Sequence, residues 1–138
     1  MVAGPLKRTD CSPVSDGAAA LVLTSDRATP SATKKVRFLA RTQVTDFMPM
    51  SKRDPLVFEG ASRAWHQVLS DAAITLDDLS FAEVHDCFTI AELMIYESMG
   101  LTPYGEGFRA INEGWVMKDG RLPINPSGGL KSKGHPVG

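Results

Sequence analysis

The clearest hydrophobic pattern in the chain is a helical stripe. Ala61, Ala64, Trp65, Val68, Leu69, Ala72 and Ala73 recur at helical spacing, with Ser62, Arg63, His66, Gln67 and Ser70 on the opposite side. That pattern predicts an amphipathic helix. Phe88, Ala91, Ile95 and Met99 repeat the spacing and predict a second helix, with Gly100 as its stop. Thr75-Leu76-Asp77-Asp78 reads as a cap opening a short turn.

The remaining apolar runs are short. Residues 16–25 form one run between turn residues, which suits a buried strand, although its alanines also suit a helix. Val36, Phe38 and Ala40 share one face of a predicted strand, and residues 81–86 read as another. Residues 26–34, with Pro30, read as a linker, and residues 42–57, with Pro49 and Pro55, as a long loop. Residues 102–123 are glycine-rich and irregular, with a hairpin expected around Lys118-Asp119-Gly120. Residues 124–138 are almost all turn chemistry. Strands alternating with helices predict an α/β sheet.

Length and composition narrow the class. At 138 residues the chain holds one small domain or part of a larger one. Its 43% hydrophobic and 22% charged residues are those of a globular protein. Fifteen basic and sixteen acidic side chains give a net charge of -1, which argues against a nucleic-acid or anionic-membrane binder. No apolar run approaches the ~18 residues of a membrane span. Cys11 and Cys87 lack metal-ligand spacing and are too few for a disulfide framework, which suits a reducing cytoplasm. A dense glycine-rich stretch at the end of the chain, with no element after it, is the pattern expected of a fragment.

Two motif matches fail on their chemistry. Gly129 and Gly134 have phosphate-loop spacing, but His135-Pro136 stands where Lys-Ser/Thr is required. Gly105, Gly107 and Ala110 mimic a dinucleotide fingerprint without the strand before it or the helix after it. His85, Asp86 and Cys87 are consecutive, so on a strand they face alternate ways and do not form a metal site.

Two histidines stand out by position. His85 falls where a predicted strand meets a helix, the end of a sheet at which ligands gather. His135 lies in a glycine-rich turn, where small residues permit close approach of a substrate. A histidine there can move a proton or hold a developing oxyanion. His66 lies on the polar face of its helix and reads as an exposed surface residue.

The tail Asn125-Pro126-Ser127-Gly128-Gly129-Leu130-Lys131-Ser132-Lys133-Gly134-His135-Pro136 resembles the Gly-His-Pro loop of thiolases, the family of acetyl-CoA acetyltransferases. His85-Asp86-Cys87-Phe88 resembles the sterol-carrier-protein-type branch, which carries His-Asp-Cys-Phe where most thiolases have Asn-Glu-Ala-Phe. Residues 11–20 resemble the family's Asn-Asp-Gly-Ala-Ala segment. The three motifs stand in family order and together span nearly the whole chain.

The resemblance implies a thiolase-like mixed sheet with helices, part of a two-repeat fold. Residues 1–25 would be the last strand of the first repeat, and residues 26–138 the opening part of the second, truncated at Gly138. The implied activity is cleavage of 3-ketoacyl-CoA with coenzyme A, or the reverse Claisen condensation. His135 would donate to the thioester oxygen and help activate a cysteine thiolate. His85 would take the place of an asparagine that holds a catalytic water, or would contact the substrate oxygen directly. Ser12 would meet the pantetheine arm, and Gly129 and Gly134 would keep the wall low beside the acyl group. The family's nucleophilic cysteine would precede this segment, and its second cysteine, in Cys-x-Gly, would follow it. Neither Cys11 nor Cys87 matches those motifs, so the 138 residues alone are expected to be inactive. No metal or redox cofactor is implied, coenzyme A being a substrate. The intact protein would be a cytoplasmic homodimer or homotetramer without nucleic-acid or membrane partners. Two alternatives stay open: a thiolase-like lyase acting on steroid side-chain thioesters, and a non-catalytic binding protein of the same fold.

Overall fold

The computed structural model describes residues 3–25, 27–28 and 34–137. The linker expected over 26–34 therefore lies mostly outside the described residues, as does Gly138.

Helix α1 spans Glu59–Ala72, where the amphipathic stripe places it, and packs against helix α2, Thr89–Ser98. Both helices end by the same hydrogen-bond logic. Gly100 enters the left-handed region (φ +81°), and Leu101 N–H reaches back to the Tyr96 carbonyl at 2.9 Å. Ala73 makes the same turn at φ 53° without the help of glycine, and Ile74 N–H bonds the Leu69 carbonyl at 3.1 Å. Between the helices, Thr75 caps a 3-10 turn at Leu76–Asp78: its N–H and its hydroxyl both donate to Asp78 Oδ2 at 2.8 Å. These bonds, the backbone one first, hold the Asp78 carboxyl below its usual range.

The irregular stretch after α2 contains the short helix α3, Phe108–Asn112. A reversal follows at the expected place. Gly120 N–H bonds the Met117 carbonyl at 2.8 Å, and Leu122 and Ile124 N–H bond Trp115 and Val116 at 2.9 and 3.1 Å. Gly120 is required there, because a Cβ would strike the carbonyls of Gly114 and Trp115. The tail is not all turn: Gly129–Lys133 forms helix α4. The core lies between these pieces and comprises Ala82, Ile95, Tyr96, Met99, Leu101, Ala110, Val116, Leu122 and Ile124, with Trp65, Leu79 and Leu93 packed at its edge.

Of the predicted sheet, the described residues show only fragments. Among the described residues no strand ladder forms, and β pairing is confined to isolated bridges: Ala3 with Leu6, Cys11 with Phe88, Val14 with His135, and Ala82 with Ile124. Residues 16–25 and 36–41 carry no regular structure, and Val22, Val36, Phe38 and Leu39 are exposed. The physical reason is pairing. A strand persists only where neighbouring backbone satisfies its N–H and C=O groups and other elements cover its apolar face. The predicted strand at 81–86 goes one step further. Ala82 N–H bonds the Pro123 carbonyl at 2.9 Å, and Asn125 N–H returns to the Ala82 carbonyl at 2.8 Å. The next rung is taken by a side chain, with Val84 N–H donating to Asn125 Oδ1 at 2.8 Å. Asn125 itself sits at φ 49°, turning the chain out of register and ending the pairing after one bridge.

Candidate functional site

Three segments far apart in sequence meet at one place: 11–14, 84–88 and 128–135. Ser12 N–H bonds the Cys87 carbonyl at 2.9 Å, His135 N–H bonds the Pro13 carbonyl at 2.9 Å, and Lys131 Nζ donates to the Cys11 carbonyl at 2.9 Å. This convergence brings His85 and His135 edge to face, with ring centroids 5.1 Å apart and planes at 82°. His85 is exposed and His135 half-buried. His135 Nδ1 is itself buried and has no hydrogen-bond partner among the described residues. Two imidazoles in contact offer both a proton donor and an acceptor to a bound oxygen.

Both candidate glycines have an identifiable cause in the fold. Gly134 adopts φ +85°, and a Cβ there would collide with Ser15 Oγ. Gly129 adopts φ +58°, and a Cβ there would collide with the Asp86 carboxylate. Glycine at these positions lets the 11–15 and 84–88 segments close on the histidine loop. Ser12 lines a cavity of about 310 Å³ together with Arg8, Thr9, Cys11, Pro13 and Lys131. A larger open cleft of about 1020 Å³ runs along the polar face of α1 and includes His66, but it contains neither His85 nor His135.

The sequence reading missed the carboxylates and the amide that hold the loop. Asp86 Oδ1 accepts the Leu130 N–H at 2.8 Å. Glu83 accepts the Ser127 N–H at 3.1 Å and the Ser127 hydroxyl at 2.7 Å, with Lys133 Nζ 3.6 Å away. The Ser127 hydroxyl bond is the main reason the Glu83 carboxyl lies below its usual range. Asn125 uses its oxygen on Val84 and its amide nitrogen on Glu92 Oε1, at 3.3 Å. Burial pushes the Glu92 carboxyl up, and the charge of nearby Asp86 adds to that, against hydrogen bonds with Tyr96 and Asn125. Burial, followed by the Glu92 charge, likewise pushes the Tyr96 phenol up. The available signal was Asn125 itself, a residue tolerant of positive φ placed directly before a Pro-Ser-Gly turn. Among the described residues no cluster of three or more His, Cys, Asp or Glu side chains could hold a metal ion.

Residues 42–138 match the model of the thiolase C-terminal domain-like family, and the chain belongs to that family. It is 40% identical over its whole length to an acetyl-CoA acetyltransferase of Methanothermobacter thermautotrophicus, of which it covers 37%. It is 34% identical, again over its whole length, to benzoylsuccinyl-CoA thiolase subunit BbsB of Thauera aromatica, covering 36% of that protein. Over 93% of the chain it is 36% identical to human sterol carrier protein 2, covering 25% of it. The chain thus spans between a quarter and two-fifths of the length of these relatives. Among solved structures, the Ltp2-ChsH2(DUF35) aldolase superposes on 66% of the chain with a TM-score of 0.61 at 22% identity, a likeness of fold.

Proposed function

We propose that this chain supplies the two-histidine part of a thiolase-type acyl-CoA acyltransferase site. The observation that carries the reading is the His85–His135 contact beside Ser12 and its cavity, built from the segments that resemble thiolase motifs. In the thiolytic direction, a cysteine thiolate supplied from outside these 138 residues adds to the 3-keto carbon, and the carbonyl oxygen becomes an oxyanion. The C2–C3 bond then breaks, leaving the acyl group on sulfur and the acetyl-CoA enolate, which takes a proton at C2. The thiol of coenzyme A accepts the acyl group and releases the cysteine. His135 serves as a donor to the thioester oxygen, where charge develops, and His85 orients a water or contacts that oxygen. Donors fixed in advance act without reorganising at the moment of reaction. Ser12 meets the pantetheine arm, while Gly129 and Gly134 leave room beside the acyl group. The same reading involves no metal or redox cofactor and places the whole protein in the cytoplasm as a homodimer or homotetramer.

The test is thiolysis of acetoacetyl-CoA by the full-length protein. His135→Ala should lower kcat by roughly 10²–10³, the loss typical of one oxyanion donor. His66→Ala, on the exposed face of α1, should stay within about twofold. Equal effects would refute the assigned roles. Cleavage of a CoA thioester without consumption of free coenzyme A would make the protein a lyase instead.

A further inference from the structure

The two histidines are brought together by backbone segments, and the loop bearing His135 is tied to its neighbours at several points, among them His135 N–H on the Pro13 carbonyl and Lys131 Nζ on the Cys11 carbonyl. Helix α4 is only five residues long and cannot hold its own geometry. Its place is fixed from outside, by Lys131 Nζ on the Cys11 carbonyl, by Lys133 beside Glu83, and by Asp86, the residue next to His85 in sequence. The carboxylate reaches across from the residue next to His85 and accepts the Leu130 N–H at 2.8 Å. It fits because Gly129 has no Cβ; any side chain there would occupy the carboxylate's position. The Asp86 carboxylate therefore couples the backbone that carries His85 directly to the first turn of the helix that leads into His135.

The surroundings restrict that carboxylate further. The Asp86 charge also acts on Glu92, and Asn125 donates to Glu92 while accepting from Val84. Glu83 and Lys133 fasten the outer edge of the same loop through Ser127, at 2.7 Å from Glu83 Oε2 and from Lys133 Nζ to the Ser127 hydroxyl. The start of α4 has the Asp86 contact, and His135 itself is tied by its N–H to the Pro13 carbonyl.

We propose that Asp86 is a positioning residue whose oxygen, by accepting the Leu130 N–H across Gly129, sets the His85–His135 contact. The inference rests on the thiolase-type reading for its catalytic consequence, but not for its geometry. What matters is where the acceptor atom sits, rather than the negative charge. An amide oxygen at the same place retains the bond in weaker form. A carboxylate one methylene longer retains the charge and displaces the helix.

The experiment compares Asp86→Asn with Asp86→Glu in the full-length protein. The direct readout is the nuclear Overhauser contact between the ring protons of His85 and His135, in protein labelled at histidine. The second readout is kcat and KM for acetoacetyl-CoA thiolysis. Asp86→Asn should keep the ring contact and a kcat within about threefold of the parent. Asp86→Glu should weaken or lose the contact and lower kcat by about tenfold or more, with KM within about threefold. The opposite order, with Glu tolerated and Asn damaging, would show that charge is what matters and would overturn the proposal. Equal ring contacts in both variants and the parent would overturn it as well. If the parent shows the ring contact but no thiolysis, the functional reading fails while the ring contact in the two variants still decides this one.

Discussion

Two regions of this chain have similar apolar content and opposite fates. Between residues 76 and 125, Tyr96, Met99, Ala110 and Leu122 are almost completely buried, Leu122 to 1% exposure. Between residues 14 and 39, Leu21, Val22, Val36 and Phe38 face outward, Val22 at 91% exposure. The difference lies in where the partners are. The central region closes on itself through short connections: α2 turns at Gly100 into 101–107, α3 follows, and the reversal at Gly120 returns Leu122 and Ile124 to Trp115 and Val116. Among the described residues the outer runs meet no such local return. Hydrophobicity states that a segment favours burial; it does not say against what.

The comparison is tested most severely at Leu122. If the centre is a closed core, Leu122→Ala should cost about 2–5 kcal/mol, measured by urea denaturation of this chain. A cost below about 1 kcal/mol would mean that the centre is no better packed than the outer runs, and the contrast would collapse.

A smaller effect is expected at the inner carboxylate. Burial raises the Glu92 carboxyl in the folded state above its value in the unfolded chain. A carboxyl shifted that way contributes stability at low pH, where it is protonated in both states, and that contribution is lost as pH rises through the folded value. Glu92→Gln has no such loss. The melting temperature of the variant relative to the parent should therefore climb as pH rises above the ordinary carboxylate value of 4.5. A difference that stays flat, or that narrows with pH, would place Glu92 in solvent like the carboxylates outside the core.

The same contrast explains how much was readable in the sequence. The helices were, because an amphipathic stripe such as Ala61–Ala72 is set by residues three and four apart. The histidine pair was readable only in part. His85 and His135 were singled out by strand end and glycine turn, and their family likeness tied them to one reaction. The segments that carry them, however, are also held by Asp86, Glu83 and Asn125, whose bonds reach residues more than forty positions away along the chain. No local pattern encodes such a bond. Beside His85 and Cys87, Asp86 raises only a metal set that strand alternation rejects, and nothing local points to its actual partner, a backbone N–H. Helix α4 was read as turn because Gly128 and Gly129 open it and both hold positive φ. The strands expected at 16–25 and 36–41 rest on a short apolar run between turn residues and on partial alternation, and neither pattern names the ladder that a strand requires.

The smallest expected effect sharpens the comparison best. Val22→Ser replaces an apolar side chain that is 91% exposed, so in the 138-residue chain it removes little buried area and should change stability by no more than about 0.5 kcal/mol. In any longer protein or assembly that covers residues 16–25, the same change strips apolar area from a buried face. Area removed from water at about 25 cal/mol per Å² then predicts a cost of about 1–3 kcal/mol. Denaturation of both forms measures the difference directly. A near-zero cost in both would mean that the segment is a solvated surface, and the strand inferred there from its apolar run has no place in the fold. A cost that appears only in the longer form would show that the outer runs are unfinished faces of a sheet, stabilised by contacts these residues cannot make among themselves.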